Sequence, residues 1–196
     1  MSTYTIPNVV SRDGRGERIV DVYSRLLEGR IIYLGTGIDD GVANAVIAQL
    51  LHLDAESTDQ PINLYINSPG GSLTAVLAIY DTMRYTRAPI ATTCIGQAVA
   101  DAALLLAAGE PGRRSILPHG RVVPRQPQTE GGRAAIPDLI VAADEVIRQR
   151  DQIERVLASL TGKEVSRLRR DMDRDMVLTA EGARDYGVVD RIAGST

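Results

Sequence analysis

The chain has 196 residues, 44% of them apolar and 24% charged, which suits one soluble domain with a real core. Its net charge of −3 comes from 22 basic and 25 acidic residues interspersed along the chain, which excludes the concentrated basic surface of a nucleic-acid binder. No stretch approaches the roughly 18 apolar residues of a membrane span, and the first residues lack the charged and apolar regions of a signal peptide, so the expected compartment is the cytoplasm.

Residues 1–18 are polar, with Pro7, Gly14 and Gly16, and read as a flexible N-terminal arm or a hairpin; residues 19–196 read as the single folded domain. Asp21 to Glu28 suits a short helix, and the apolar run Ile31 to Leu34 a buried strand. Asp39 and Asp40 offer N-cap chemistry to a helix with Val42, Val46, Leu50 and Leu53 on one face. Pro61 to Ile66 alternates apolar and polar residues as a strand does. The turn Asn67-Ser68-Pro69-Gly70-Gly71 follows, and Ser72 caps a helix that Ala88-Pro89 ends. Ile90 to Ile95 is the next strand, Gly96-Gln97 a turn, and Ala98 to Ala108 a buried helix. Cys94 is the single cysteine, which excludes an internal disulfide and a cysteine-rich zinc site; its apolar neighbours mark a structural thiol.

Short strands are expected near Ser115–Leu117 and Arg121–Val123, then a polar loop at Gln128–Arg133. Pro137 opens a long amphipathic helix whose apolar stripe runs through Leu139, Ile140, Ala143, Ile147, Ile153, Val156, Leu157 and Leu160, closed by Thr161-Gly162. Helices at Glu164–Asp171 and Ala180–Tyr186, around a strand at Met176–Leu178, complete an α/β pattern. With neither Phe nor Trp in the chain, the core must be built from Leu, Ile, Val and Ala.

Two junctions carry chemistry. A glycine pair after a buried strand, Gly70-Gly71, lets backbone N–H groups turn outward together, as an oxyanion site requires. By itself this is also ordinary turn chemistry, and the absence of a following Gly-Lys-Ser/Thr speaks against a phosphate loop. The second junction, Gly96-Gln97-Ala98-Val99-Ala100-Asp101, is a strand-to-helix turn of the kind that presents a nucleophile, yet it offers no Ser, Thr or Cys.

Tyr23-Ser24-Arg25-Leu26-Leu27, Tyr65-Ile66-Asn67-Ser68-Pro69-Gly70-Gly71, Ile79-Tyr80-Asp81-Thr82-Met83, Gly96-Gln97-Ala98, Leu117-Pro118, Gln126-Pro127, Asp173-Arg174-Asp175 and Tyr186-Gly187 occur in one order over about residues 6 to 192. In these segments the chain resembles the proteolytic subunits of the Clp (caseinolytic) protease family. The resemblance implies a crotonase-like α/β fold with a long handle helix that joins two rings, the handle region covering about 124–160. It further implies heptameric rings stacked in pairs into a tetradecamer, a Clp ATPase that feeds unfolded protein into the chamber, and serine-type endopeptidase activity without a cofactor or metal.

That activity rests on a Ser-His-Asp triad, from which this sequence departs at two of three places. The family's serine follows Gly-Gln-Ala-Ala; here Gly96-Gln97-Ala98-Val99 leads to Ala100. The family's histidine precedes Gln-Pro; here Arg125 precedes Gln126-Pro127. Asp175 alone is retained. Ala100 has no atom that attacks a carbonyl, and Arg125 stays protonated at any physiological pH. Asp175 without an imidazole has nothing to orient. Gly71 and Asp101 match the family's oxyanion-hole positions, but Asp101 brings a carboxylate where the family is apolar. About 5 Å from a developing oxyanion, it would cost roughly 3 kcal/mol at an effective dielectric of about 20. The other candidates are poorer: His119 lies roughly 20 Å from Arg125 along an extended chain, His52 reads as a packed or surface residue, and Ser72 as a cap. An ion pair between Arg125 and Asp175 is expected to plug the site.

By position, the family's ATPase-docking pocket maps to Leu51, Tyr65, Tyr85 and Ile95, while His52, Asn63, Ser115 and Ala193 stand where the family tends to be apolar. A more polar pocket grips an apolar loop less well. Three functions stay open: a non-catalytic (pseudo-peptidase) subunit that assembles with and supports active paralogues, a Clp-type endopeptidase that retains activity, and a homo-oligomer that binds a peptide or an inhibitor.

Overall fold

The computed structural model describes residues 6–13, 16–126, 136–174 and 176–194, the side chains of 11–13, 16, 18, 136 and 137 excepted. The N-terminal segment is a hairpin, β1 (Asn8–Asp13) against β2 (Gly16–Asp21), with Asn8 opposite Asp21 and Asp13 opposite Gly16. Asp21 then caps α1 (Val22–Glu28), its carboxylate accepting from the Tyr23 and Ser24 N–H groups.

A sheet follows in which each pairing is parallel. β3 (Ile31–Leu34) lies beside β4 (Ile62–Ser68), and β4 beside β5 (Ile90–Val99). The far side of β5 is shared in succession by β6 (Arg114–Ile116) at Thr92–Cys94 and β7 (Arg121–Val123) at Gln97–Val99. β6 in turn pairs with β8 (Arg191–Ile192), which the sequence pattern did not reveal. Two residues leave no periodicity to read.

The helices are α2 (Asp40–Glu56), α3 (Leu73–Tyr85), α4 (Ala102–Ala107), α5 (Ile136–Thr161), α6 (Val165–Asp171) and α7 (Ala180–Tyr186). Asp39 caps α2 through the Val42 N–H, and Ser72 caps α3 through the Ala75 N–H, as their side-chain chemistry leads one to expect. One face of β4, Ile62, Leu64 and Ile66, is sealed in the core with α2, α3 and α4, whose Leu104, Leu105 and Leu106 are fully buried. The largest fully buried side chains are all Ile or Leu, consistent with a chain that lacks Phe and Trp.

Three expectations need correction. Gly96-Gln97 is no turn: β5 runs on to Val99, because β7 supplies a partner for Gln97, Ala98 and Val99. The glycine instead marks a bulge. Ile66 pairs with Cys94 but Ser68 with Ala98, and a Cβ on Gly96 would meet Asn67 Oδ1 at 2.6 Å. The helix expected from Ala98 therefore starts only at Ala102. Met176–Leu178 forms only an isolated bridge, Leu178 exchanging N–H···O bonds of 2.8 and 2.9 Å with Val122. The loop expected at Gln128–Arg133 lies outside the described residues.

The apolar stripe of α5 divides. Ile153 and Leu157 are buried in the core, whereas Leu139, Ile140, Val141 and Ile147 are exposed. Two arginines tie the frame together. Arg30, with φ 59°, donates to the carbonyls of Leu53, Ser57, Gln60 and Pro61 around the C-terminal end of α2. Arg114 pairs with Asp190 at 2.6 Å and donates to the Leu160 carbonyl at 2.9 Å, joining β6, the end of α5 and the segment before β8.

The Arg114 side chain is only 11% exposed, so its removal strands a partly buried carboxylate and two carbonyls. Arg114→Ala should lower the unfolding free energy by about 3 kcal/mol in urea titrations. A change under about 1 kcal/mol would show that the pair carries little of the frame.

Candidate functional site

The site forms where β4 and β5 end. After Ser68 the chain turns through Pro69, Gly70 and Gly71, and the Gly70 carbonyl accepts from Ile38 N–H while Ser72 N–H donates to the Ile38 carbonyl. Gly70 has φ 88°, and a Cβ there would lie 2.7 Å from the Val99 carbonyl oxygen; a Cβ on Gly71 would lie 2.1 Å from that of Ile38. Only glycine permits this approach.

At the end of β5, Ala100 holds φ 49°, the left-handed backbone of a strained strand-to-helix elbow. Its N–H donates to the Val123 carbonyl at 2.8 Å, which fixes the elbow against the end of β7. Arg125 lies two residues beyond Val123 and lines the same cleft, of about 340 Å³, as Gly71, Ala100, Asp101 and Gln126; α5 contributes Gln149. Arg125 is half-buried and engaged in an interaction of its own. The structure thus brings together four of the five candidate site residues. The fifth, Asp175, lies outside the described residues, and with it the expected Arg125–Asp175 pair; the Leu178–Val122 bridge sits three residues further on.

Two backbone groups and three side chains border the cleft at this point. The N–H groups of Gly71 and Asp101 border the cleft, and neither donates to another residue among the described residues. Ala100 presents a methyl group where the elbow would present a nucleophile. Asp101 is 6% exposed, and its Oδ1 has no hydrogen-bond partner among the described residues. Burial pushes its carboxyl up to about 6, opposed only by its own backbone N–H.

His119 is exposed, and His52 sits on the surface of α2 with Nε2 3.4 Å from Glu56. Ser72 spends its hydroxyl on the α3 cap. Cys94 is fully buried, which raises its thiol pKa. Among the described residues no group of three or more His, Cys, Asp or Glu is placed to hold a metal. Of the four pocket positions, Leu51 and Tyr85 are solvent-exposed at 44% and 79%, while Tyr65 and Ile95 are half-buried on neighbouring strands. Ser115 is buried, bonded to Thr93 Oγ1 at 2.8 Å. Sequence reasoning did not assign Gln126 or Gln149 to the cleft: Gln126 follows β7 outside any regular element, and a polar residue on an exposed-looking helix, as Gln149 is, gives no signal of what it faces.

The elbow, the glycine turn and the parallel sheet have a counterpart in known proteins: residues 14–196 match the family model described as Clp protease. The chain belongs to the Clp protease family. Its relatives include ATP-dependent Clp protease proteolytic subunit 1 of Nocardia farcinica, 58% identical over 193 residues and 98% of each chain. Proteolytic subunit 4 of Rhodococcus jostii is 56% identical over the full length of both chains, and proteolytic subunit 2 of Streptomyces avermitilis 55% identical over 98% of this chain and 96% of its own. The α/β fold is accordingly the crotonase-like fold of that family. No helix among the described residues is long and apolar enough to cross a membrane.

The electrostatics of Asp101 make a stability prediction. A carboxyl at about 6 in the folded chain and at its ordinary 3.8 in the unfolded one favours folding when protonated. That contribution is full below the unfolded value and is lost as pH rises through about 6. At pH 7.5 the ionised group opposes folding by about 3 kcal/mol. Asp101→Asn should therefore stabilise the chain by about 2 kcal/mol at pH 7.5, with the gain shrinking steadily between pH 6.5 and pH 4.5 in chemical denaturation. A pH-independent difference would place the carboxylate in a more solvated setting.

Proposed function

We propose that this chain is a non-catalytic Clp proteolytic subunit, a pseudo-peptidase that takes its place in ring assemblies and supports active paralogues in ATP-dependent protein degradation in the cytoplasm. The observation that carries this reading is the elbow: the strained backbone at Ala100 and the N–H donors of Gly71 and Asp101 persist, while the nucleophile is a methyl group. An arginine stands in for the general base, and a guanidinium does not accept a proton. Asp101 adds an unpaired carboxylate where negative charge would build in the transition state.

Features away from the cleft support assembly. The exposed apolar half of α5, about residues 139–147, suits the inter-ring handle, with the handle region running from about 124 to 160. The N-terminal hairpin takes the place of the N-terminal arm. Partners are expected to be heptameric rings, of this chain alone or mixed with an active paralogue, stacked in pairs. Docking of a Clp ATPase at Leu51, Tyr65, Tyr85 and Ile95 is expected to be weak, since His52 and Asn63 add polarity.

The purified chain should not be labelled by a serine-directed fluorophosphonate and should show no peptidase activity. Mixed with an active paralogue, it should elute with it as a particle of ring mass. Covalent labelling of the pure chain refutes the reading; so does a strictly monomeric chain that never joins the paralogue. The double variant Ala100→Ser/Arg125→His should remain weak. Adding Asp101→Ala should raise its activity about 100-fold, the equivalent of roughly 3 kcal/mol of relieved repulsion. Full activity in the double variant would acquit Asp101.

A further inference from the structure

The cleft retains two buried polar atoms that have no hydrogen-bond partner among the described residues: Asp101 Oδ1, an acceptor, and Gln126 Nε2, a donor. Folded proteins contain few such atoms, and two at one cleft of about 340 Å³ point to a ligand that completes them. Asp101 is only 6% exposed, so its charge faces little water. Three of the polar side chains around it are engaged elsewhere. The Ser72 hydroxyl accepts from Ala75 N–H, Gln149 donates to Glu145 at 3.0 Å, and Arg125 has an interaction of its own.

An anion does not suit this cleft, because the carboxylate stands beside the N–H groups that would have received it. A nitrogen cation does: it supplies the opposite charge and several N–H donors to an acceptor that lacks one. Ala100, a methyl in place of a hydroxyl, leaves room for it. We propose that the vacated cleft binds the basic group of a peptide, a guanidinium or an ammonium, with Asp101 as its acceptor and Gln126 donating to an adjacent peptide carbonyl. A guanidinium fits best, since its planar fork matches both oxygens of a carboxylate. The site captures a peptide without cutting it, and so rests on the non-hydrolytic reading above.

The test uses the full chain and fluorescence anisotropy with three labelled tetrapeptides: capped Ala-Ala-Arg-Ala, the same with citrulline for Arg, and Ala-Ala-Ala-Ala with a free amino terminus. The Arg peptide should bind at least about 10-fold more tightly than its citrulline counterpart. Asp101→Asn should erase that preference, and Gln126→Ala should weaken the Arg and citrulline peptides alike. Asp101-dependent binding of the free-amino peptide would add the amino terminus as a source of the cation; binding of the Arg peptide alone assigns the side chain. Equal affinities, no binding of any peptide, or a preference that survives Asp101→Asn overturns the proposal. Mass analysis of each peptide after incubation separates the two readings: cleavage refutes the non-catalytic assignment, whereas intact peptides bound without an Arg preference refute this inference alone.

Discussion

Strand β5 is the constraint from which the site follows. It runs ten residues, Ile90–Val99, bonded to β4 along one edge and to β6 and then β7 along the other. A strand held on both edges cannot slip, so the residue after it is delivered to a fixed place. The bulge at Gly96 sets the phase of the last residues, and the buried helix α4 anchors the chain just beyond. Ala100 is thereby forced into left-handed backbone. Its hydrogen bond to Val123 ties the elbow to the segment that carries Arg125. None of these contacts involves the side chain at position 100. The shape of the site is a property of the sheet.

Charge placement separates the site from the frame. Burial raises the carboxyls of Glu154 and Asp190, but hydrogen bonds from arginine more than offset this and hold both below the ordinary range. Glu154, fully buried, accepts from Arg150 and from Arg169 of α6, which fixes the inner half of α5. Asp190 is held by Arg114. Asp101 has no such guanidinium partner on its Oδ1. Glu154 and Asp190, drawn into the frame, come with their cations, whereas the buried Asp101 at the cleft leaves its Oδ1 unmatched among the described residues.

Much of this was legible in the sequence where a local rule agreed with the tertiary structure. Asp39 and Ser72 cap the helices their side chains suit, and the alternation of Ile62, Leu64 and Ile66 marks the buried face of β4. Reading failed where partners distant in the chain decide. Gly96-Gln97 has turn chemistry, yet β7 draws it into a strand; β8 is too short to carry a pattern and exists only because β6 offers an edge. The apolar stripe of α5 was visible, but nothing in its period told the half that enters the core from the half that stays open. Of the site, Ala100 and Arg125 could be singled out from the sequence, and the structure brings both to one cleft. The isolation of Asp101 could not, because it depends on which groups the fold withholds from it.

The left-handed conformation at Ala100 has a consequence for how such proteins are recognised. Backbone geometry there is enforced by strand pairing whatever side chain the residue carries, so the methyl group of Ala100 leaves no trace in the chain's path. A change of side chain at this position can thus leave the backbone where it is and stay hidden from shape-based inventories, so that only the identity of the residue discloses it.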